Sequence, residues 1–271
     1  MLLAIDIGNT HIKFGLFTDS RLEHKVRLAT DPGRTEDEYG VLLVQALAQR
    51  GIGVESVHAS ILASVVPALT DGILAMVRRL FGREPLVLGP GLKTGISVLY
   101  DSPREVGPDR IADAVAAFER VKGGTIVVDF GTATTFDAVG PDGAYLGGAI
   151  APGLRLGLEA LASKTALLPK VELRVPDRAI ARDTVNAIRA GAVLGHQAMT
   201  AGLLAAIRSE LAETAGAEAA EIRVVLTGGL SAEPWARSIE GVDAVDPDLT
   251  LKGLAILHAE VAGGEPLAIV R

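Results

Sequence analysis

Two short segments carry the residue types that bind phosphate. Asp6-Ile7-Gly8-Asn9-Thr10 and Asp129-Phe130-Gly131-Thr132-Ala133 each close an apolar run. A glycine directly after a buried strand lets the backbone approach a ligand, and successive N–H groups there form a concave anion site. Asparagine and threonine add donors for phosphate oxygens. The aspartate at the strand end faces the same opening, where it can hold a cation or its water and complement the phosphate charge. Singly, an Asp-x-Gly is an ordinary turn. Two of them, each after a buried strand and about one domain length apart, point to a pair of hairpins that clamp a triphosphate. Thr227-Gly228-Gly229 fits a third role, a backbone passing close under an adenine or ribose, or else a tight strand-to-helix turn.

A different chemistry sits in the polar stretch from Tyr100 to Arg110, Tyr-Asp-Ser-Pro-Arg-Glu-Val-Gly-Pro-Asp-Arg. Asp109 stands just before an apolar-periodic helix through Ile111, Val115 and Phe118. It reads as a helix cap or as a carboxylate that accepts a hydroxyl proton, with Arg110 supplying positive charge. Arg104 and Glu105 read as a surface ion pair of little consequence. His11, His24, His58, His196 and His258 are scattered without ligand spacing, and none is assigned to metal or catalysis. Residues 89–94, Gly-Pro-Gly-Leu-Lys-Thr, resemble a phosphate loop but fail its spacing and the dinucleotide pattern alike.

These groups need strands and helices to hold them. Leu2 to Ile7 reads as a buried strand, and residues 12–17 as a second after the Gly8-Asn9 turn. Thr35-Glu36-Asp37-Glu38 is a capping-box sequence before a helix through Leu43 and Leu47. Residues 57–66 read as a strand ending at Pro67, with Thr70 capping the helix that carries Ile73, Val77 and Leu80. The second half restarts the pattern with strands at 125–128, 134–139 and 145–150, separated by the turn Gly140-Pro141-Asp142-Gly143. A strand at 222–226, with a helix from Ser231, is the counterpart of 61–66. The order is that of an α/β protein with an internal duplication.

Composition bounds the rest. The chain has 271 residues, 49% of them hydrophobic and 22% charged, which suits a well-packed soluble protein. It has no cysteine, so disulfides and cysteine-ligated metal centres are excluded and a cytoplasmic location is favoured. Asp6 interrupts the apolar start, so no signal peptide is expected. A formal charge of −7 and the lack of a basic run argue against a nucleic-acid surface. The uncharged stretch 190–207 contains His196, Gln197, Thr200 and three glycines, and is expected as a buried helix packed closely against another, not as a membrane span.

Taken together, Asp6-x-Gly8-Asn9-Thr10, the run from Tyr100 to Asp109-Arg110, Asp129-x-Gly131-Thr132-Ala133-Thr134-Thr135 and Gly147-Gly148-x-Ile150-x-Pro152-Gly153 resemble the type III pantothenate kinases. The resemblance extends over almost the whole chain. It implies an α/β fold of two duplicated actin-like ATPase domains (ribonuclease H-like), with mixed sheets carrying helices on their faces, at residues 1–120 and 121–271. It implies ATP-dependent phosphorylation of the primary hydroxyl of pantothenate to 4′-phosphopantothenate, the first step of coenzyme A biosynthesis. Asp109 would be the general base. Tyr100, Gly107, Pro108, Asp109 and Arg110 would line the pantothenate pocket, and Thr184 would reach substrate from the neighbouring subunit of a homodimer. Asp6, Ile7, Gly8, Asn9, Thr10, His11, Ile12 and Lys13 would contact ATP, as would Thr132. Asp129 is similar to the position that binds a monovalent cation, potassium or ammonium, and magnesium would arrive with ATP. Read alone, Thr184 caps the long helix that follows it. The competing readings are an accessory transcriptional regulator of the same fold, a nucleotide-driven chaperone or filament subunit, and a kinase for another small alcohol or sugar. Neither a nucleic-acid nor a membrane partner is expected.

Overall fold

The computed structural model describes residues 1–89, 92, 94–215, 218 and 220–263. Pro90, Gly91 and Lys93 of the loop that resembles a phosphate loop lie outside the described residues. The chain divides into two compact units, and each is built on one five-stranded mixed sheet.

The first unit contains residues 1–120 and the chain from Leu249 onward. Its strands are β1 (Leu2–Ile7), β2 (His11–Thr18), β3 (Arg21–Ala29), β4 (Ala59–Ser64) and β5 (Leu86–Val87), in the order β3-β2-β1-β4-β5. β1 runs antiparallel to β2 and parallel to β4. Leu3, Ile5 and Ile7 alternate with Ala4 and Asp6, so one face of β1 enters a core with Ile12, Phe14 and Leu16 of β2. Leu43 and Leu47 of α1 (Glu36–Ala48) and Ile73 and Val77 of α2 (Pro67–Phe81) cover that face. The capping box forms as expected: Glu38 N donates to Thr35 Oγ1 at 3.3 Å, and Thr35 N to Glu38 Oε2 at 2.8 Å.

The first turn of α2 departs from the sequence reading. Pro67 does end the strand but also opens the helix, since a proline at the first helical position gives up only an N–H that would go unbonded anyway. Thr70 therefore lies one turn inside and caps nothing. Its hydroxyl bonds back to the Val66 carbonyl at 3.1 Å and meets Ser64 Oγ at 2.8 Å. α3 (Pro108–Val121) follows the Tyr100–Arg110 stretch, and the closing helix α7 (Leu249–Val261) packs on β1, β2 and β4. The expected boundary at 120/121 follows chain order and puts residues 249–271 in the second half, whereas compactness groups α7 with the first unit.

The second unit spans Val121–Asp248 and repeats the first. Its strands are β6 (Thr125–Phe130), β7 (Ala133–Val139), β8 (Tyr145–Pro152), β9 (Arg223–Thr227) and β10 (Ala244–Val245), ordered β10-β9-β6-β7-β8. Strand for strand, β6 stands for β1, β7 for β2, β8 for β3 and β9 for β4, with the same parallel and antiparallel neighbours. The duplicated actin-like α/β architecture is thus the one observed. Ile126, Val128 and Phe130 share a core with Val193 and Leu204 of the long helix α5 (Thr184–Ala215) and with Trp235 of the short helix α6 (Pro234–Arg237). The helix expected from Ser231 begins three residues later, because the Ser231 hydroxyl instead closes the turn after β9 by donating to the Gly228 carbonyl at 2.8 Å.

α5 corrects a second expectation. Ile188, Val193, His196, Thr200, Leu204 and Leu211 form one buried face. Gly191, Gly195 and Gly202 lie elsewhere, with nothing among the described residues within 4 Å of the position a Cβ would take. The helix is long and apolar enough to cross a membrane by length and composition. It also fits a helix with one face on its own core and a small-residue face left bare.

Candidate active site

In the first unit, Asp6 is buried at the end of β1. It pairs in register with Lys13 across the antiparallel ladder, which puts both side chains on one face. The Lys13 ammonium accordingly lies 3.0 Å from Asp6 Oδ2. The turn between them is tied from both sides: Gly8 N donates to the His11 carbonyl at 3.1 Å, Thr30 Oγ1 donates to the Gly8 carbonyl at 2.6 Å, and Thr30 N to the Thr10 carbonyl at 3.0 Å. Asn9 and Thr10 are exposed at its tip and His11 is half-buried. Ile7 and Ile12 belong to the core, so of these two only the backbone is open to a ligand.

Asp109 lies in the first turn of α3, where its Oδ1 accepts the Arg110 N–H at 2.9 Å. Orphan N–H groups of a helix N-terminus attract negative charge, so the turn suits both a carboxylate and a nearby anion. The helix begins at Pro108, one residue before the expected cap position, and the Ile111 N–H bonds to the Gly107 carbonyl at 3.2 Å. The Asp109 carboxylate folds back over Gly107, where a larger residue would set its Cβ 2.5 Å from Oδ1. That same Cβ position is 3.7 Å from Val65, and the Val65 N–H donates to the Ile7 carbonyl at 3.0 Å. Asp109 therefore lies near Val65, the residue that bonds to the first Asp-x-Gly turn. Val106 is buried beneath the segment, Tyr100 and Arg110 are half-buried, and Arg104 and Glu105 are exposed.

In the second unit, Asp129 is half-buried at the end of β6, and Thr132 is exposed at the tip of the β6–β7 hairpin. Asp129 stands between Thr135 of β7 and Thr227 of β9 in one rung of the sheet. Side chains on one rung share a face. The Thr227 hydroxyl is buried with no hydrogen-bond partner among the described residues, an oxygen donor in reserve beside a carboxylate. Gly228 has φ of +90° and its absent Cβ would overlap the Asp129 carboxylate, so only glycine fits both the conformation and the space. Gly153, before α4 (Leu154–Lys164), similarly abuts the carbonyl oxygens of Gly131 and Thr132. Close approach of two backbones explains why these turns are glycine-rich on every side.

Thr184 is the first residue of α5 and is exposed, but it is not the cap. Asp183 takes that role. Its Oδ1 accepts the Asn186 N–H at 2.9 Å and its Oδ2 the Asn186 side-chain amide at 2.7 Å, bonds that hold the Asp183 carboxyl below its ordinary range. The Thr184 hydroxyl is thereby spared from capping.

A family model described as type III pantothenate kinase matches residues 2–206. The chain belongs to the type III pantothenate kinase family. The type III pantothenate kinase of Myxococcus xanthus is 46% identical over 258 residues, covering 95% of this chain and 98% of its own. That of Moorella thermoacetica is 45% identical with the same coverage. Among solved structures, a candidate Baf family transcriptional activator from Campylobacter jejuni aligns with a TM-score of 0.57 at 20% identity, covering 96% of this chain and 99% of its own. A candidate 2-dehydro-3-deoxygalactonokinase from Sinorhizobium meliloti gives a TM-score of 0.57 at 13% identity, with the same coverage. At such identities the two structures speak for the fold alone. Within the pantothenate kinase family, the motifs that carried the resemblance fall on the two hairpin turns, the start of α3 and the end of β8. Ligand spacing gives no sign of His196. It lies buried against the second hairpin, and its polar neighbour Thr200 one turn along α5 was the available signal.

Proposed function

We propose that this member of the family transfers the γ-phosphoryl group of ATP to the primary hydroxyl of pantothenate, giving ADP and 4′-phosphopantothenate, the first step of coenzyme A biosynthesis. The observation that carries the reading is nearness within one unit: the Asp109 carboxylate at a helix start folds over Gly107 beside Val65, and the Val65 N–H bonds to the Ile7 carbonyl of the first Asp-x-Gly turn. Asp109 takes the hydroxyl proton as the substrate oxygen forms its bond to the γ-phosphorus and the bond to the β,γ-bridging oxygen breaks. Such transfers ask little covalent help of the protein, so alignment and charge compensation supply most of the acceleration. Asn9, Thr10 and the backbone from Asp6 to Lys13 bind ATP phosphate in the first unit's turn, and Thr132 is the ATP contact of the second unit's own turn. Tyr100, Gly107, Pro108 and Arg110 line the pantothenate pocket.

Asp129 with the unpartnered Thr227 hydroxyl offers the hard oxygen donors that suit potassium or ammonium. Such a cation supplies fixed positive charge beside the phosphates. Magnesium is brought by ATP, since Mg²⁺ is commonly held by one or two carboxylates together with substrate phosphates. The protein works as a homodimer in the cytoplasm, with Thr184 reaching the partner's pantothenate. The dimer reading is supported by the exposed apolar residues of the second unit: Ile150, Leu156, Leu161, Leu167, Val175, Ile180 and Leu194 all lie within one stretch of chain. A thermal-shift panel with pantothenate, sugars and duplex DNA tests the substrate class, because a ligand that binds the folded state raises the melting temperature. A shift with pantothenate alone is expected; a shift with a sugar or with DNA instead would replace this reading.

A further inference from the structure

His196 is the one buried histidine of the five. It faces the rung that closes the β6–β7 hairpin, in which Phe130 stands opposite Thr134. His196 Nε2 is 3.1 Å from Thr134 Oγ1. The imidazole ring also lies 5.5 Å from the Phe130 ring, tilted by 56°. One side chain thus touches both members of the rung, and only Gly131, Thr132 and Ala133 lie beyond it. Trp235 completes a triangle, 5.5 Å from Phe130 and edge-on to His196 at 5.9 Å. The backbone of His196 is itself fixed, since its carbonyl accepts the Thr200 hydroxyl at 2.8 Å.

Gly228 and Gly153 press on the same turn from β9 and from the start of α4. Those contacts limit where the turn can go but are backbone approaches without direction. A hydrogen bond to Thr134 and a ring contact to Phe130 fix direction. An imidazole does both at once, having a flat apolar face and a nitrogen in its plane. Gln197 next to it points elsewhere, donating to the Trp235 carbonyl at 2.9 Å and so tethering α6 to α5.

We infer that His196 is a positioning residue for the phosphate turn of the second unit: by holding the Phe130–Thr134 rung it sets the aim of the Gly131 N–H and the Thr132 hydroxyl toward the nucleotide. The inference rests on the reading of Thr132 as an ATP contact.

The test compares His196→Phe, which keeps an aromatic ring but loses the bond, His196→Gln, which returns a polar nitrogen near the Nε2 position, and Thr134→Val, which removes the hydroxyl at near-constant shape. In steady-state kinetics, His196→Phe and Thr134→Val should each raise the KM for MgATP about ten-fold, the weight of one lost hydrogen bond. The KM for pantothenate should stay within about two-fold, and His196→Gln should recover part of the loss. The double variant should be no worse than the poorer single one, because both remove the same bond. Titration with a non-hydrolysable ATP analogue, followed by emission of Trp235, the chain's single tryptophan, should rank the variants identically without turnover. A wild-type KM for MgATP in Thr134→Val or His196→Phe, or additive effects in the double variant, would overturn the inference. Thr134→Val carries the test if His196→Phe does not fold. Thr132→Val separates the two levels: an unchanged nucleotide KM there removes the phosphate-turn reading, whereas a raised one with normal His196→Phe and Thr134→Val removes only the role of His196.

Discussion

Asp109 carries the proton in this account, and its neighbours explain how it is held: the first turn of α3 supplies the Arg110 N–H, and Gly107 leaves the carboxylate room to fold back. Asp109→Asn keeps that shape and loses the base. Its kcat should fall by about 10²–10⁴, with the KM values for both substrates nearly unchanged; activity within a few-fold of wild type would remove Asp109 from the role. A second residue-scale prediction concerns pH. Burial pushes the imidazoles of His196 and His258 below their ordinary value near 6.5. Their neutral forms are favoured by folding, so this stabilisation is fully present above about pH 6.5 and is lost as pH falls toward and through the folded-state values. The melting temperature should drop between pH 7.5 and 5.5, and less steeply in His196→Gln; parallel curves would refute the assignment. Single residues were legible in the sequence where their type was decisive. The Asp-x-Gly turns follow β1 and β6, and Asp109 stands in the first turn of α3, places where those residue types are favoured. Thr184 and Thr70 were misread as caps, since a threonine near a helix start has several possible partners and the choice is made in three dimensions: Asp183 caps α5, and Thr70 bonds back to Val66.

At the scale of elements, both opening meanders and α1 follow from apolar alternation and the capping box, and they formed as read. α4 went unread because no side chain caps its start at Gly153 and just two of its residues, Leu154 and Leu158, are buried. The short α6 was displaced by a serine with a better use in the preceding turn. α5 shows why a hydrophobic count misleads: its uncharged stretch is half core and half bare small-residue face. That bare face gives the element-scale prediction. If α5 lies at or near a dimer interface and Thr184 completes the partner's site, then Asp109→Asn mixed with a Thr184→Trp variant should regain activity on subunit exchange. One site of each mixed dimer has both groups intact, so the ceiling is roughly half of wild type per mixed dimer by symmetry. No recovery after demonstrated exchange would put both groups in one subunit's site, and a monomer in solution would end the idea.

For the whole molecule, the duplication is the organising fact. Two sheets of the same order and sense each carry an aspartate and a glycine-bearing turn at the end of a central strand, and the repeated Asp-x-Gly segments make that correspondence legible in the sequence. The place of α7 is not legible there, because chain order says nothing of which sheet a closing helix returns to. The rung neighbours of the two aspartates differ in kind: Lys13 lies against Asp6, and Asp129 stands next to Thr227, whose buried hydroxyl has no hydrogen-bond partner among the described residues. The monovalent cation proposed above at Asp129 gives the prediction at this scale. Replacing all monovalent cations with a bulky organic one should then suppress turnover, with magnesium still present, and potassium or ammonium should restore it; an unchanged rate would make Asp129 structural. Transfer of labelled phosphate decides whether pantothenate is the acceptor. Purified protein supplied with γ-labelled ATP, magnesium, potassium and pantothenate should place the label on pantothenate as 4′-phosphopantothenate, one equivalent per ADP formed. Label that stays on ATP, or passes to a sugar in preference to pantothenate, would contradict the account.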